Sequence, residues 1–181
     1  MESIEVTMTR KDLKDIPEHS LPEGFYLDFF QKGDEADWVH LETVTNEFPN
    51  EEKAWARFNR EFGHRLDEFS KRCLFLKNKD GKIIGTTSAW YGELVGEEIG
   101  RIHWVSLLPE YQGQGLAKAM LTGAMKVLVQ HHDKAYLDSE TKNYKAINMY
   151  LQYGFKPYFH SPADQKAWEI LEEKLEKKLL E

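Results

Sequence analysis

The sequence predicts an α/β fold of the α+β kind, a mixed sheet with helices on both faces. Three observations carry this. Short apolar runs recur at Gly24–Phe30, Arg72–Leu76, Lys82–Trp90, Arg101–Leu107 and Lys134–Asp138, bounded by turn residues. Between them lie stretches whose apolar residues recur at helical spacing. The middle of the chain, Ile102–Asp138, reads as strand, tight turn, long helix, strand. One layout joins these pieces: the strand–helix–strand unit in the middle of the sheet, with the other helices covering its faces.

In chain order, Ile4–Met8 reads as a short edge strand, and Pro17 and Pro22 bracket a loop. Gly24–Phe30 is the first secure strand. Gly33 ends it and Asp34 can cap a helix with Trp38, Leu41, Thr45 and Phe48 on one face. Asn50 caps a second helix, with Glu51 and Glu52 in its first turn and a stripe of Trp55, Phe58, Phe62, Leu66 and Phe69. Asn78–Gly81 is a hairpin turn signal. Gly92–Gly100 is acidic and glycine-flanked, a loop or hairpin. The long helix runs from Gly115 to about His132, with Ala117, Met120, Leu121, Ala124, Val127 and Leu128 on one face. A helix over Asn143–Tyr153 and a strand over Phe155–His160 follow. Ser161-Pro-Ala-Asp164 reads as a capping box with proline at the first helical position, so a last helix carries Trp168, Leu171, Leu175 and Leu179.

Length and composition bound the function. The 181 residues suit one domain, 1–181, with a proper core; 41% are hydrophobic and 13% aromatic, which excludes a disordered chain. A net charge of −7 argues against a nucleic-acid binder and is compatible with a cationic or amine substrate. The single cysteine, Cys73, precludes an intrachain disulfide, so a reducing, cytoplasmic setting is expected, with Cys73 a buried hydrophobe rather than a nucleophile. Met1–Pro17 is polar, so no signal peptide is read. No apolar run approaches the roughly 18 residues of a membrane span. His131-His132-Asp133 are adjacent at a helix end and do not converge as metal ligands would; His40 and His64 are isolated, and no metal is expected. Monomer and homodimer both stay open.

The chemistry concentrates in Val105–Ala117. An apolar run breaks at Pro109, passes Gly113 and Gly115, and restarts as a helix. The glycines permit unusual dihedrals and leave room for a ligand. The helix start, with unpaired N–H groups and the positive dipole end, suits a phosphate or pyrophosphate. Three phosphate-binding patterns compete. A P-loop needs Lys-Ser/Thr after its second glycine, but Leu116-Ala-Lys118 follows Gly115. A dinucleotide loop needs a third glycine where Lys118 stands. Asp138 could serve as its ribose-binding acid, but the chain after it is too short for the second half of that fold.

The third pattern fits best. Gln112-Gly-Gln-Gly115-Leu-Ala117 resembles the Gln/Arg-x-x-Gly-x-Gly/Ala signature of the GNAT superfamily of acetyl-CoA-dependent N-acetyltransferases. Asn143-Tyr-Lys-Ala146-Ile-Asn-Met-Tyr150-Leu-Gln-Tyr-Gly154-Phe155 resembles the family's second signature, Asn-x-x-Ala-x-x-x-Tyr-x-x-x-Gly-Phe. The two occur in the family's order with a strand-like Lys134–Leu137 between them. The resemblance is specific from about Ile99 to Phe155 and architectural outside it.

The resemblance implies a central mixed, mostly antiparallel sheet. Its strands four and five, here Arg101–Leu107 and Lys134–Asp138, splay apart to admit the pantetheine arm. Acetyl-CoA would be the cosubstrate. Its amides would bond the Val105–Leu108 backbone, with the Leu107 N–H donating to the thioester oxygen; such a donor is typically worth about 3 kcal/mol. Gln112, Gly113, Gln114, Gly115, Leu116 and Ala117 would take the pyrophosphate, and Asn143 would lie beside the pantetheine. Tyr150 matches the tyrosine that protonates the departing sulfur; the other reading is a core tyrosine. Many relatives end in a further strand, so the C-terminal helix is a departure. It leaves open how the last strand pairs and whether the helix packs on its own chain or a partner.

The base is less defined. Some relatives use a strand-four glutamate, but Arg101 stands there and cannot act as a base. On an extended strand Arg101, His103, Val105 and Leu107 share a face, which makes His103 the best candidate. A packed, structural His103 is the competing reading. Glu97 and Glu98 acting through water, or an external base, are the alternatives. The function implied is acetyl transfer to the amine of a small-molecule acceptor, whose contacts would come from the first two helices and Gly92–Gly100. A non-catalytic acyl-CoA-binding sensor or interaction module is the other class, favoured by the missing glutamate.

Overall fold

The computed structural model describes residues 3–180. Met1, Glu2 and Glu181, which the N-terminal reading and the 1–181 span include, lie outside the described residues. Seven strands and six helices follow in the order β1 (Glu5–Arg10), β2 (Phe25–Phe29), α1 (Glu35–Val44), α2 (Glu51–Glu61), α3 (Leu66–Phe69), β3 (Cys73–Asn78), β4 (Ile83–Leu94), β5 (Glu97–Leu107), α4 (Leu116–Leu128), β6 (Ala135–Glu140), α5 (Tyr144–Gln152), β7 (Lys156–Tyr158) and α6 (Pro162–Leu175). The strands form one mixed sheet in the order β2-β3-β4-β5-β6-β1-β7. The β5–β6 pair is parallel, as a strand–helix–strand crossover requires. Its ladder joins Gly100 to Ala135 and Arg101 to Tyr136. The pairs β2–β3, β3–β4, β1–β6 and β1–β7 are antiparallel.

The chain divides into two compact units, each built from separated segments. The first comprises Pro17–Trp90 and Ile102–His131. On one side of its strands, α4 presents Leu116 and Met120 to Leu76 and Ile84. Two glycines permit close approach there. A Cβ at Gly123 would meet Leu27 Cδ1 at 2.4 Å, and one at Gly85 would meet the Ser106 carbonyl oxygen at 3.0 Å. On the other side, Phe30, Trp38, Phe58, Phe62, Phe69 and Phe75 are all buried and in mutual ring contact, with Phe62 stacked on Phe69 at 4.1 Å. The aromatic stripe after Asn50 is therefore mostly core. It is not one helix, however. α2 ends at Glu61, and the tight turn after it requires glycine at 63, where a Cβ would meet the Asn59 carbonyl oxygen at 2.7 Å. The chain turns at Gly63–His64 and restarts as α3. The Asn50 cap holds as expected, its side chain accepting from the Lys53 N–H at 3.0 Å.

The second unit comprises the chain up to Ile16, Tyr91–Arg101 and the chain from His132 onward. Here β1 is not an edge strand: it lies between β6 and β7 and buries Val6 and Met8. The Gly92–Gly100 segment is mostly strand, since only Val95 and Gly96 turn, both with positive φ (52° and 75°), as a tight hairpin requires. β7 pairs with β1, and α6 packs on β1 and α5, so the C-terminal helix is seated on its own chain with Trp168 and Leu171 fully buried. The Asp164 carboxylate accepts from the His160 and Ser161 N–H groups at 2.6 and 2.8 Å, closing the helix start. The helix stops at Leu175, short of Leu179, because Glu176 turns left-handed (φ 50°) and the Glu172 carboxylate takes the Leu179 and Leu180 N–H groups.

Candidate active site

The glycine loop takes the shape its sequence predicts. A 3-10 turn at Pro109–Tyr111 leaves β5, and Gly113 and Gly115 both sit at φ 76°, the left-handed region that a side chain disfavours. Nothing lies within 4 Å of a Cβ built on either. It is therefore dihedral angle, not crowding, that requires glycine here. Gly115 is the N-cap of α4, and no side chain caps that end. Gln112 to Gly115 are exposed, whereas Leu116 is fully buried against the sheet. The Gln112 side-chain amide donates to the Leu107 carbonyl at 3.0 Å, and that of Gln114 to the Glu110 carbonyl at 3.2 Å. The loop is thus tied to the end of β5. The Leu108 N–H donates to the Ile84 carbonyl at 2.9 Å. Successive N–H groups on a strand point to opposite edges, so the Leu107 N–H points away from β4.

β5 is not regular. Trp104 has φ 49°, a left-handed dihedral that strains a bulky residue by about 1–3 kcal/mol. This breaks the alternation expected over Arg101, His103, Val105 and Leu107. Two consecutive side chains, His103 and Trp104, reach the same atom of α2. His103 Nε2 lies 2.8 Å from Glu61 Oε2, and Trp104 Nε1 donates to that oxygen at 3.0 Å. Arg57, one helical turn back, donates to the other oxygen at 2.9 Å, and its guanidinium lies 5.7 Å from the centre of the Trp104 ring. Trp38 and Phe48 pack against that ring at 5.8 and 5.1 Å. These contacts hold the strained dihedral in place. Burial pushes the Glu61 carboxyl up, but the His103 hydrogen bond and charge, with the bonds from Arg57 and Trp104, outweigh it and hold it down at about 2. Glu61 is therefore ionised at neutral pH.

A second carboxyl sits deeper. Glu42 of α1 is completely buried, and the Ser106 hydroxyl donates to its Oε2 at 2.9 Å. Burial pushes it up to about 8, with the nearby Glu47 adding to the rise and the Ser106 bond opposing it. Neither glutamate is marked by residue type or spacing. A hydrogen-bonding residue on β5 facing α1 and α2 was the only available cue. Cys73 is buried as expected, its Sγ 3.4 Å from the Thr86 hydroxyl oxygen, and burial pushes its thiol up to about 12, so it is not a nucleophile.

The other expected residues lie in the second unit. Asn143 is the exposed N-cap of α5, and Tyr150 is buried on that helix with its ring edge-on to Phe155 at 6.3 Å. Arg101 is engaged by Asp138 at 2.8 Å and lies over the Tyr136 ring. Glu97 is paired with Lys134 at 2.6 Å, and both Glu97 and Glu98 are exposed on a strand rather than on an infolded loop. Within the first unit, an open cleft of about 720 Å³ beside Leu108–Glu110 is lined by Asp34, Asp37 and His40 of the α1 region and by Lys82 of the β3–β4 turn. Among the described residues no group of three or more His, Cys, Asp or Glu is arranged to hold a metal.

The family model described as "Acetyltransferase (GNAT) family" matches residues 19–155. A mycothiol acetyltransferase of Streptomyces griseus subsp. griseus is 29% identical over 145 residues, covering 78% of this chain and 46% of its own length. One of Streptomyces coelicolor is 30% identical over 145 residues, with the same coverage of 78% and 46%. The chain thus spans about half the length of the curated relatives it matches. Among solved structures, a GCN5-related N-acetyltransferase from Sphaerobacter thermophilus superposes with a TM-score of 0.68 at 21% identity, covering 85% of this chain and 48% of that one, which shows a common fold.

Proposed function

This chain belongs to the acetyltransferase (GNAT) family, and from that premise we propose that it moves an acetyl group from acetyl-CoA to the amine of a small-molecule acceptor. The observation that carries the reading is the loop from Gln112 to Ala117: two left-handed glycines, an uncapped helix start and an exposed backbone. A pyrophosphate fits such a start, where N–H groups and the helix dipole both favour negative charge. Gln112, Gly113, Gln114, Gly115, Leu116 and Ala117 hold it in this reading. The pantetheine amides bond the backbone of Val105 to Leu108, and Asn143 is taken as a further cofactor contact from its match to the second signature alone. The Leu107 N–H, on the strand edge away from β4, stabilises the thioester oxygen as charge develops.

The amine loses its proton to His103. Tyr150, a phenol, gives one to the departing thiolate. That the matching relatives are named mycothiol acetyltransferases supports a small-molecule acceptor. The carboxylates of Asp34 and Asp37 beside the cleft, and the net charge of −7, support a cationic amine. Residues 1–181 act as one catalytic domain in this reading. The lone buried thiol suits a reducing, cytoplasmic setting; no described helix is long and apolar enough to cross a membrane.

One observation favours a second reading. The strand-four position where some relatives carry a basic glutamate holds Arg101, engaged by Asp138. A non-catalytic acyl-CoA-binding module would tolerate that. Release of free thiol from acetyl-CoA, measured over a broad amine panel, separates the two. Acceptor-dependent release supports the enzyme; tight CoA binding with no release over the whole panel supports the sensor.

A further inference from the structure

Glu61 was invisible to sequence reasoning, and three side chains converge on it. Its Oε2 takes His103 Nε2 and Trp104 Nε1, at 2.8 and 3.0 Å, while its Oε1 takes Arg57 Nη1 at 2.9 Å. The His103 and Glu61 side chains are only 11% and 20% exposed, so solvent screens the pair weakly. At the left-handed dihedral of Trp104 two consecutive side chains, His103 and Trp104, both reach α2.

We propose that Glu61 is the positioning residue for His103, fixing the ring with Nε2–H on the carboxylate and Nδ1 as the nitrogen that takes the proton. The proposal rests on the reading of His103 as the base. In the step, an N–H bond of the neutral acceptor amine breaks and its proton bonds to Nδ1. The nitrogen lone pair attacks the thioester carbon. The thioester C–S bond breaks and the sulfur leaves as a thiolate, while the imidazolium so formed keeps its Nε2–H on Glu61. Arg57 and Trp104 hold the carboxylate still, so that it orients the ring without itself taking a proton. The charged groups of α2 that face the pair are Glu61 and Arg57. The coupling is reciprocal: His103 lowers the proton affinity of Glu61, so Glu61 must raise that of His103 by the same free energy.

The test is Glu61→Gln in the full chain, with two readouts. The first is the His103 imidazole titration followed by nitrogen-15 NMR, the signal identified by its loss in His103→Gln. The second is the pH dependence of kcat/KM once an acceptor is in hand. The expected result is a lower His103 midpoint, the acid limb of kcat/KM moving with it, and a plateau rate down about tenfold or more. An unmoved midpoint overturns the role of Glu61. A midpoint that moves while the rate limb stays put overturns the reading of His103 as base, and leaves the pair structural. Should Glu61→Gln fail to fold, the wild-type protein decides. Below its midpoint, His103 should show a downfield, slowly exchanging Nε2–H resonance, and its absence contradicts the pairing.

Discussion

The Ser106 hydroxyl donates to the Glu42 carboxyl at 2.9 Å in a site with no solvent access, and it is the one hydrogen bond that the carboxyl's side-chain oxygens receive among the described residues. The pair ties α1 to β5 next to Leu107, the residue whose N–H is proposed to meet the thioester. A carboxyl in that place is neutral at pH 7, because burial lifts it from 4.5 to about 8. Glu42 thus contrasts with Glu61, which its donors keep charged one helix later.

Glu42 should make stability pH-dependent on the alkaline side. Its folded-state value lies above its unfolded one, so the folded state holds a proton that the unfolded state gives up. The contribution is fully present below about pH 4.5 and is lost as pH rises through about 8. The loss is on the order of a few kcal/mol. Glu42→Gln keeps the shape and cannot ionise. Urea unfolding of wild type and variant between pH 5 and pH 9 should show a falling stability only in the wild type. Parallel curves would mean that Glu42 is not buried neutral.

Glu61 predicts the opposite slope. Its folded value is held below the unfolded 4.5, so its stabilisation is present above that pH and is lost as pH falls toward about 2. Acid unfolding of Glu61→Gln should therefore be less steep than that of the wild type over this interval. An identical acid transition in both proteins would show that His103 and Arg57 do not hold the carboxylate.

Tyr150→Phe should slow turnover and leave acetyl-CoA binding nearly intact. The ring keeps its edge contact with Phe155, and only the hydroxyl is lost. If that hydroxyl protonates the sulfur, kcat and kcat/KM fall together, by about a hundredfold at the lower end of general-acid effects. A core tyrosine gives a modest stability loss instead. Retention of more than about half of kcat, with chemistry rate-limiting, removes the general-acid role.

Asn50→Ala should cost about 1 kcal/mol by thermal unfolding, because it deletes the acceptor for the Lys53 N–H at the start of α2. Asn50→Asp, which keeps an acceptor, should be close to neutral. Equal losses in the two variants would show that the cap does not stabilise α2.

What was legible in the sequence was local. Asn50, the Asp164 capping box and the left-handed Gly113 and Gly115 act within a few residues, so their residue types announce them. The strand–helix–strand unit was legible for the same reason, its period changing at Pro109. The rest depended on distant partners. β1 carries only Val6 and Met8 on its buried face and looked like an edge until β7, some 150 residues later, paired with it. The aromatic stripe from Trp55 to Phe69 kept helical spacing across the Gly63 turn, so periodicity alone could not see the break. Glu61 sits on an amphipathic helix where a solvated glutamate is the usual reading, and its partner His103 is 42 residues away. Neither the positive φ of Trp104 nor the burial of Glu42 has any signature in residue type.

The most direct test of the account is calorimetric titration of the protein with CoA, run beside Gly115→Asp. The loop from Gln112 to Ala117 should bind the pyrophosphate, and a hundredfold excess over the dissociation constant should raise stability by about 2.7 kcal/mol. Gly115→Asp places a charged side chain at the helix start, at φ 76°, in space that is open in the free protein. The account predicts saturable CoA binding by the wild type, with a higher melting temperature, and its loss in the variant. No binding at millimolar CoA, or equal binding by both proteins, would contradict it.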